Sequence, residues 1–316
     1  MRGMEMKPKF KTLLLFLLVA ALSATALLTA VSRGNVSADR AVTERDREGN
    51  PITLPQSIER IISLGPSNTE IIVALGFGDN IIASDTYSDN VAGLAAGIPM
   101  FNMMSPDGEQ LINLQPDVVF VTGMGKAGGD DLLKSVADAG VCIIYVPSST
   151  SLDAIKEDIR YIAGILKSNP AGEALISDME SEIAAIAEIG KTITDKKAVY
   201  FEVEAPPYMC SFGDGVFLNE MIEIIGAANI FRNQKSWVSI TGESVLSADP
   251  DVILTSVNYI EDPIGEIKSR PGWSGMAAVK NGDVHYIDTD SSNRPSHNVV
   301  KALREIAAAV YPDIYI

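Results

Sequence analysis

Histidine and cysteine are nearly absent from this chain of 316 residues: His285, His297, Cys142 and Cys210 are all it has. None stands near another at the spacing that holds zinc or an iron-sulfur cluster, so a metal site of that kind has no support. Neither histidine has a visible Ser/Asp partner or a Glu-flanked metal motif, which leaves triad and metalloprotease chemistry without a signature. Basic residues are scarce as well, 25 Lys and Arg against 41 Asp and Glu, for a formal charge of -16. Leaving out the first 32 residues, with four basic side chains and Glu5, takes that to about -19. A surface of this sign repels nucleic acid and keeps the protein soluble. Complete phosphate-binding loops are missing too: GDGV is only a Gly-rich turn, and GMGKAGG lacks the spacing and the terminal Lys-Ser/Thr pair.

Long apolar runs are limited to one. Leu13 to Ala30 follows Arg2, Lys7, Lys9 and Lys11, a basic n-region and a long h-region, which predicts export. Cleavage is expected after Ala26, Ser32 or Ala38, or else the run stays as a membrane anchor, for which it is long enough. There is no cysteine near its end to accept a lipid. Residues 1 to 38 are therefore set apart from the fold as a signal peptide or signal anchor with a short linker.

What the chain does have is a repeat. EQLINLQPDV, from Glu109 to Val118, returns 134 residues later as ESVLSADPDV, from Glu243 to Val252, and each copy runs into an apolar segment, VFVT or ILTS. A second echo pairs EIIVALG (Glu70 to Gly76) with EMIEIIG (Glu220 to Gly226). One α/β fold written twice predicts two similar lobes around a cleft. Short apolar strands alternate with helical stretches in both halves, as in largely parallel sheets. The pattern turns helical from Ser151 to about Glu188, broken at Pro170 and Gly172, and its second part reads as a stiff strut. The expected division is 39–165 for the first lobe, 166–196 for the connecting helix and 197–316 for the second lobe. Cys142 reads as a core residue of the strand VCIIYV and Cys210 as a loop residue of YMCSF, one in each lobe, so the two sulfurs stay apart. The PDV motifs are architecture: Pro ends the preceding segment, Asp turns the chain and the β-branched run enters the sheet.

Open α/β sheets bind ligands in the loops after their strands. In the first lobe those loops carry Tyr87, Met103, Met104, Met124 and Lys126; in the second, Tyr208, Met209, Phe212, Trp237, Asn258, Tyr259 and Arg294. Such a set offers aromatic and thioether surface plus two cations, suited to a bulky ligand with apolar faces and acidic or oxygen-rich edges, since Arg grips carboxylates in a fixed fork. Trp237, in a polar, turn-like context, is the leading aromatic candidate, followed by Tyr87 and Arg294.

RIISLGPSNTEIIVALG, PDVVFVTG, FLNEMIEIIGAANIF, ADPDVIL and RPSHNVVKALREIA together resemble the helical-backbone substrate-binding proteins of ABC importers for iron-siderophores, haem and cobalamin, over residues 55 to 314. The resemblance implies two α/β lobes, each a three-layer sandwich, joined by one long helix across a shallow cleft, and a monomer that delivers an intact chelate to a membrane permease without catalysis or a resident cofactor. It also implies one surface glutamate per lobe for docking: Glu70 in the first, and in the second Glu223 by family position or Glu220 by the internal repeat. The leading expectation for the cargo is a ferric siderophore or similar iron chelate, with a corrinoid the closest alternative. Haem is less favoured because neither histidine nor a methionine is assignable as an axial ligand. From a different class stand an extracytoplasmic enzyme centred on Asp214 or His297, and an adhesion or sensor module.

Overall fold

A computed structural model describes residues 42–123 and 132–315. The apolar run Leu13 to Ala30 and two of the ligand candidates, Met124 and Lys126, lie outside the described residues. Among those described, no helix is long and apolar enough to cross a membrane.

Two short strands, β1 (Val42–Arg45) and β2 (Pro51–Leu54), form a small sheet at the start. The first lobe then runs β3 (Ile61–Leu64), α1 (Pro66–Ile72), β4 (Ile81–Asp85), β5 (Met100–Phe101), α2 (Gly108–Asn113), β6 (Val118–Val121), α3 (Lys134–Asp138) and β7 (Cys142–Tyr145). Its five strands are ordered β5-β4-β3-β6-β7 and all pair in parallel. Helix α1 starts at Pro66, whose fixed φ suits the first helical turn. It passes into a wider turn over Val73–Phe77, where Gly76, at φ 91°, ends the helical path as its position in the sequence predicts.

Two helices follow, α4 (Leu152–Ile165) and the 22-residue α5 (Asn169–Gly190), and they pack on each other. The second lobe runs β8 (Ala198–Glu202), β9 (Cys210–Phe212), α6 (Phe217–Ile224), β10 (Ala228–Asn229), β11 (Trp237–Ser239), α7 (Gly242–Ala248), β12 (Val252–Thr255), α8 (Pro263–Ser269), α9 (Ala277–Asn281), β13 (Val284–Tyr286), α10 (Thr289–Asn293) and α11 (Val299–Val310). Its main sheet, β10-β8-β12-β13, is again parallel, while β9 and β11 pair antiparallel beside it. Cys210 thus opens a strand rather than lying in a loop. Both thiols are free, and burial pushes that of Cys142 up to about 11.

The two PDV motifs do the same work in both lobes. Asp117 accepts hydrogen bonds from the backbone N–H groups of Glu59 (2.8 Å) and Arg60 (2.9 Å), and Asp251 accepts one from that of Ala198 (2.7 Å). Each aspartate stitches the start of its strand to the start of the lobe's first strand. The residues before the prolines, Gln115 and Asp249, both have positive φ, at 48° and 42°. Each lobe therefore ends a helix, turns and enters its sheet by one route.

Alternate residues of these strands serve different cores. Val118 and Phe120 of β6, and Val252 and Leu254 of β12, belong to one continuous cluster that also takes in Ile176, Met179 and Ile186 of α5. Val119 and Val121 face a smaller core confined to the first lobe, and Tyr200 and Ile253 one confined to the second. The lobes thus share a core beneath the long helix. At its end that helix touches the second lobe closely: a Cβ on Gly190 would collide with the carbonyl oxygen of Ile224, and one on Gly226 would lie 2.6 Å from the carbonyl oxygen of Gly190.

Candidate binding cleft and its polar wall

A cavity of about 670 Å³ opens between the lobes at the carboxyl ends of both parallel sheets. Pro66 and Ser67 follow β3, Thr86 and Tyr87 follow β4, Met103 and Met104 follow β5, Thr122 follows β6, and Ser148 lies beyond β7. The second lobe adds Asn258 beyond β12 and Thr289, Asp290, Asn293, Arg294 and Pro295 beyond β13. This is where the crossover connections of a parallel sheet leave backbone ends and side chains free for a ligand.

The loop carrying Tyr87 is fixed from below. Asp85, buried at the end of β4, accepts from the Tyr87 N–H (2.8 Å) and the Ser88 hydroxyl (2.6 Å). Burial pushes its carboxyl above the usual range, with the Ser88 and Tyr87 hydrogen bonds opposing. Ser88 in turn bonds Thr69 (3.1 Å), whose hydroxyl donates to Ser63 (2.8 Å). A ladder of neutral hydroxyls so anchors a loop whose Tyr87 ring stays exposed.

Arg294 reaches from the second lobe to the first. Its Nη1 lies 3.0 Å from Glu70 Oε1, and its Nη2 lies 2.8 Å from Asp290 and donates to the Tyr87 carbonyl (2.7 Å) and Asn90 Oδ1 (3.0 Å). Glu70 is only 6% exposed and also accepts from Asn298 (2.9 Å) and from the Ser296 hydroxyl. Asn90 returns a bond to Asp290 (2.5 Å). Behind this wall lies a second cavity of about 350 Å³, bordered by Glu70, Asp288, Asp290, His297 and Lys301 among others. Burial holds His297 below its ordinary value, with nearby Glu70 opposing.

Of the ligand candidates, Tyr87 and Arg294 line the cleft, as do Met103, Met104 and Asn258. Phe212 and Met209 do not: Phe212 is fully buried against Phe201 (centroids 5.5 Å apart), and Met209 is buried in the core of the second lobe. Phe212, inside β9, faces the core the lobes share, and Met209, just before the strand, faces the core confined to the second lobe, which a loop reading of YMCSF misses. Trp237 sits on β11, 46% exposed and edge-on to Phe212, and is not part of the cleft lining. Tyr208 and Tyr259 are exposed, and the Tyr259 hydroxyl accepts from the Ala205 N–H (2.8 Å), so their two loops are neighbours. Sequence reasoning missed Ser67, Thr122, Ser148, Thr289 and Asn293. The rule that ligand groups follow parallel strands, applied to hydroxyls and amides as well as rings, reaches most of them.

The three glutamates expected at docking surfaces differ. Glu70 is internal and faces the other lobe. Glu220 is half-buried and accepts from the Leu152 N–H (3.1 Å) at the start of α4, and burial pushes its carboxyl up. Glu223, whose carboxylate accepts from Asn219 (3.0 Å) on its own helix, is exposed.

The model of the periplasmic binding protein family matches residues 61–291. An uncharacterized ABC transporter substrate-binding lipoprotein of Bacillus subtilis, YvrC, is 30% identical over 279 residues, 87% of each chain. A vitamin B12-binding protein of Vibrio parahaemolyticus is 26% identical over 79% of this chain and 89% of its own length. Among solved structures, a possible iron-binding, periplasmic solute-binding protein of Staphylococcus epidermidis superposes with a TM-score of 0.72 at 29% identity, covering 81% of this chain and all of that one. With the match spanning both parallel sheets, the chain belongs to the periplasmic binding protein family, as a substrate-binding protein of the ABC transporter class.

Proposed function

We propose that the cleft captures a bulky metal chelate whose edge is neutral and amide-rich, a corrinoid in preference to a multiply anionic ferric siderophore. The observation that carries this reading is the chemistry of the wall. Its polar groups are mostly uncharged hydroxyls and amides, among them Ser67, Thr122, Ser148, Asn258 and Asn293, and its described guanidinium, Arg294, is already paired with Glu70 and Asp290. Asp89 and Asp290 add negative charge. A carboxylate-rich cargo meets no unpaired cation among the described residues, whereas amide side chains find both donors and acceptors. Tyr87, Met103 and Met104 supply the apolar face.

In this reading the protein works outside the cytoplasm, sent there by the segment around Leu13 to Ala30, and passes its cargo as a monomer to an ABC permease, with exposed Glu223 contributing to docking. Native mass spectrometry of the protein, with cyanocobalamin, a ferric tris-catecholate and haem offered in separate incubations, tests the assignment. One-to-one retention of the corrinoid is expected. Retention of the ferric catecholate with none of the corrinoid overturns it.

A further inference from the structure

The wall beside the cleft is built from opposite halves. The first lobe brings acceptors: the Glu70 carboxylate, the Tyr87 carbonyl and Asn90 Oδ1. The second brings donors: Arg294, Asn298 and Ser296. One bond, from Asn90 to Asp290, runs the other way. Glu70 and Arg294 are 224 residues apart in sequence, so no local turn holds them together. Their side chains are only 6% and 11% exposed, and an ion pair so far from water is costly to break because it leaves a charge without a partner. Asn90, Asp290 and Arg294 border both the 670 Å³ cleft and the 350 Å³ cavity behind it. The network is thus the partition between the two, and its length sets the separation of the lobes at that point.

We infer that Glu70 is a positioning residue for cargo binding: through Arg294 it ties the lobes together across the cleft and fixes the cleft's width. Loss of the tie lets the walls part at this edge, while the shared core under α5 keeps the lobes joined at the other. Arg294 in turn is held at the cleft wall by first-lobe acceptors and is not free to follow a ligand. The cargo arm of the test rests on the binding function proposed above; the distance arm needs no cargo, so failure of one is distinguishable from failure of the other.

The full chain, with Cys142→Ser and Cys210→Ser and spin labels on cysteines replacing exposed Glu109 and Lys280, reports the lobe separation by pulsed electron resonance. Glu70→Gln and Arg294→Ala should each lengthen and broaden the distance distribution. The double variant Glu70→Gln/Arg294→Ala should show no more than either single change, because both remove one tie. Arg294→Lys, which keeps the charge but not the fork, should fall between. In binding kinetics the same variants should release cargo faster with little change in association. Folded Glu70→Gln and Arg294→Lys proteins whose distributions superimpose on the parent overturn the inference, as do additive shifts in the double variant.

Discussion

At the position where the Pro-Asp-Val strand reaches the end of its neighbour, the first lobe has Leu64, opposite Val121, and the second has Glu202, opposite Thr255. Leu64 packs into an uncharged, apolar core. Glu202, 1% exposed, is gripped by Arg270 through both terminal nitrogens (2.6 and 2.9 Å) and accepts from the Tyr200 hydroxyl (3.0 Å). Arg270 lies 4.6 Å from the Trp273 ring centroid and also pairs with Glu266. The duplicated halves therefore kept the way a strand enters its sheet and diverged in what fills the space beyond. Entry depends on the backbone, which tolerates few alternatives; the filling accepts either a hydrocarbon or a fully satisfied ion cluster.

The largest effect is expected where that divergence is greatest. Arg270→Ala leaves Glu202 buried without its partner and should lower stability by about 3–5 kcal/mol in denaturant titration. Replacing both by leucine, to imitate the first lobe, should recover most of the loss. If Arg270→Ala costs less than about 1 kcal/mol, the ion cluster is not the counterpart of the first lobe's apolar core.

The shared entry device should respond alike in both lobes. Asp117→Ala removes two acceptor bonds and Asp251→Ala one, so losses of roughly 2 and 1 kcal/mol are expected, in that order. A reversed order would mean that the stitch matters through something other than the bonds it makes. Smaller still is a pH effect seated beside the cross-lobe wall. The unfolded chain protonates His297 near 6.5, whereas the folded protein does so only at lower pH. The unfolded state then binds more protons below about 6.5, so stability falls as pH drops through that value. His285, also lowered by burial, adds to it with the same sign. The melting temperature should decline from about pH 7 to about pH 5, and His297→Asn should flatten part of that decline. Smallest in stability is Glu223→Lys, expected within about 0.5 kcal/mol of the parent because the residue is exposed. Its effect should instead be weaker association with permease-containing vesicles, which Glu70→Gln, buried in the other lobe, should not reproduce by loss of surface charge.

Much of the architecture was legible because it is periodic. The repeated PDV strands, the glycines that end the two echoed helices and the helical stretch before Lys197 all leave local marks. The β9 and β11 pair leaves none, since three-residue strands hold less than two periods of alternation, and Cys210, Phe212 and Trp237 therefore carry the sequence marks of loop and turn. The last helix begins at Val299, just after Ser296 and Asn298, whose side chains turn to Glu70. That pairing, like the one with Arg294, joins sites far apart in sequence and leaves no spacing to read. The place of Tyr87 and Arg294 after strands is enough to put both at the cleft, but the partner that occupies Arg294 is visible only in the folded chain.

The core that runs from both sheets through Ile176, Met179 and Ile186 has a consequence for how the chain came to be and how it comes apart. Although the sequence reads as a duplication, neither copy is now a separable product: a chain cut at the strut exposes an oily face on each fragment, matched only by the other. Heating should accordingly give a single calorimetric transition for residues 43–316, in which the ancestral halves melt together.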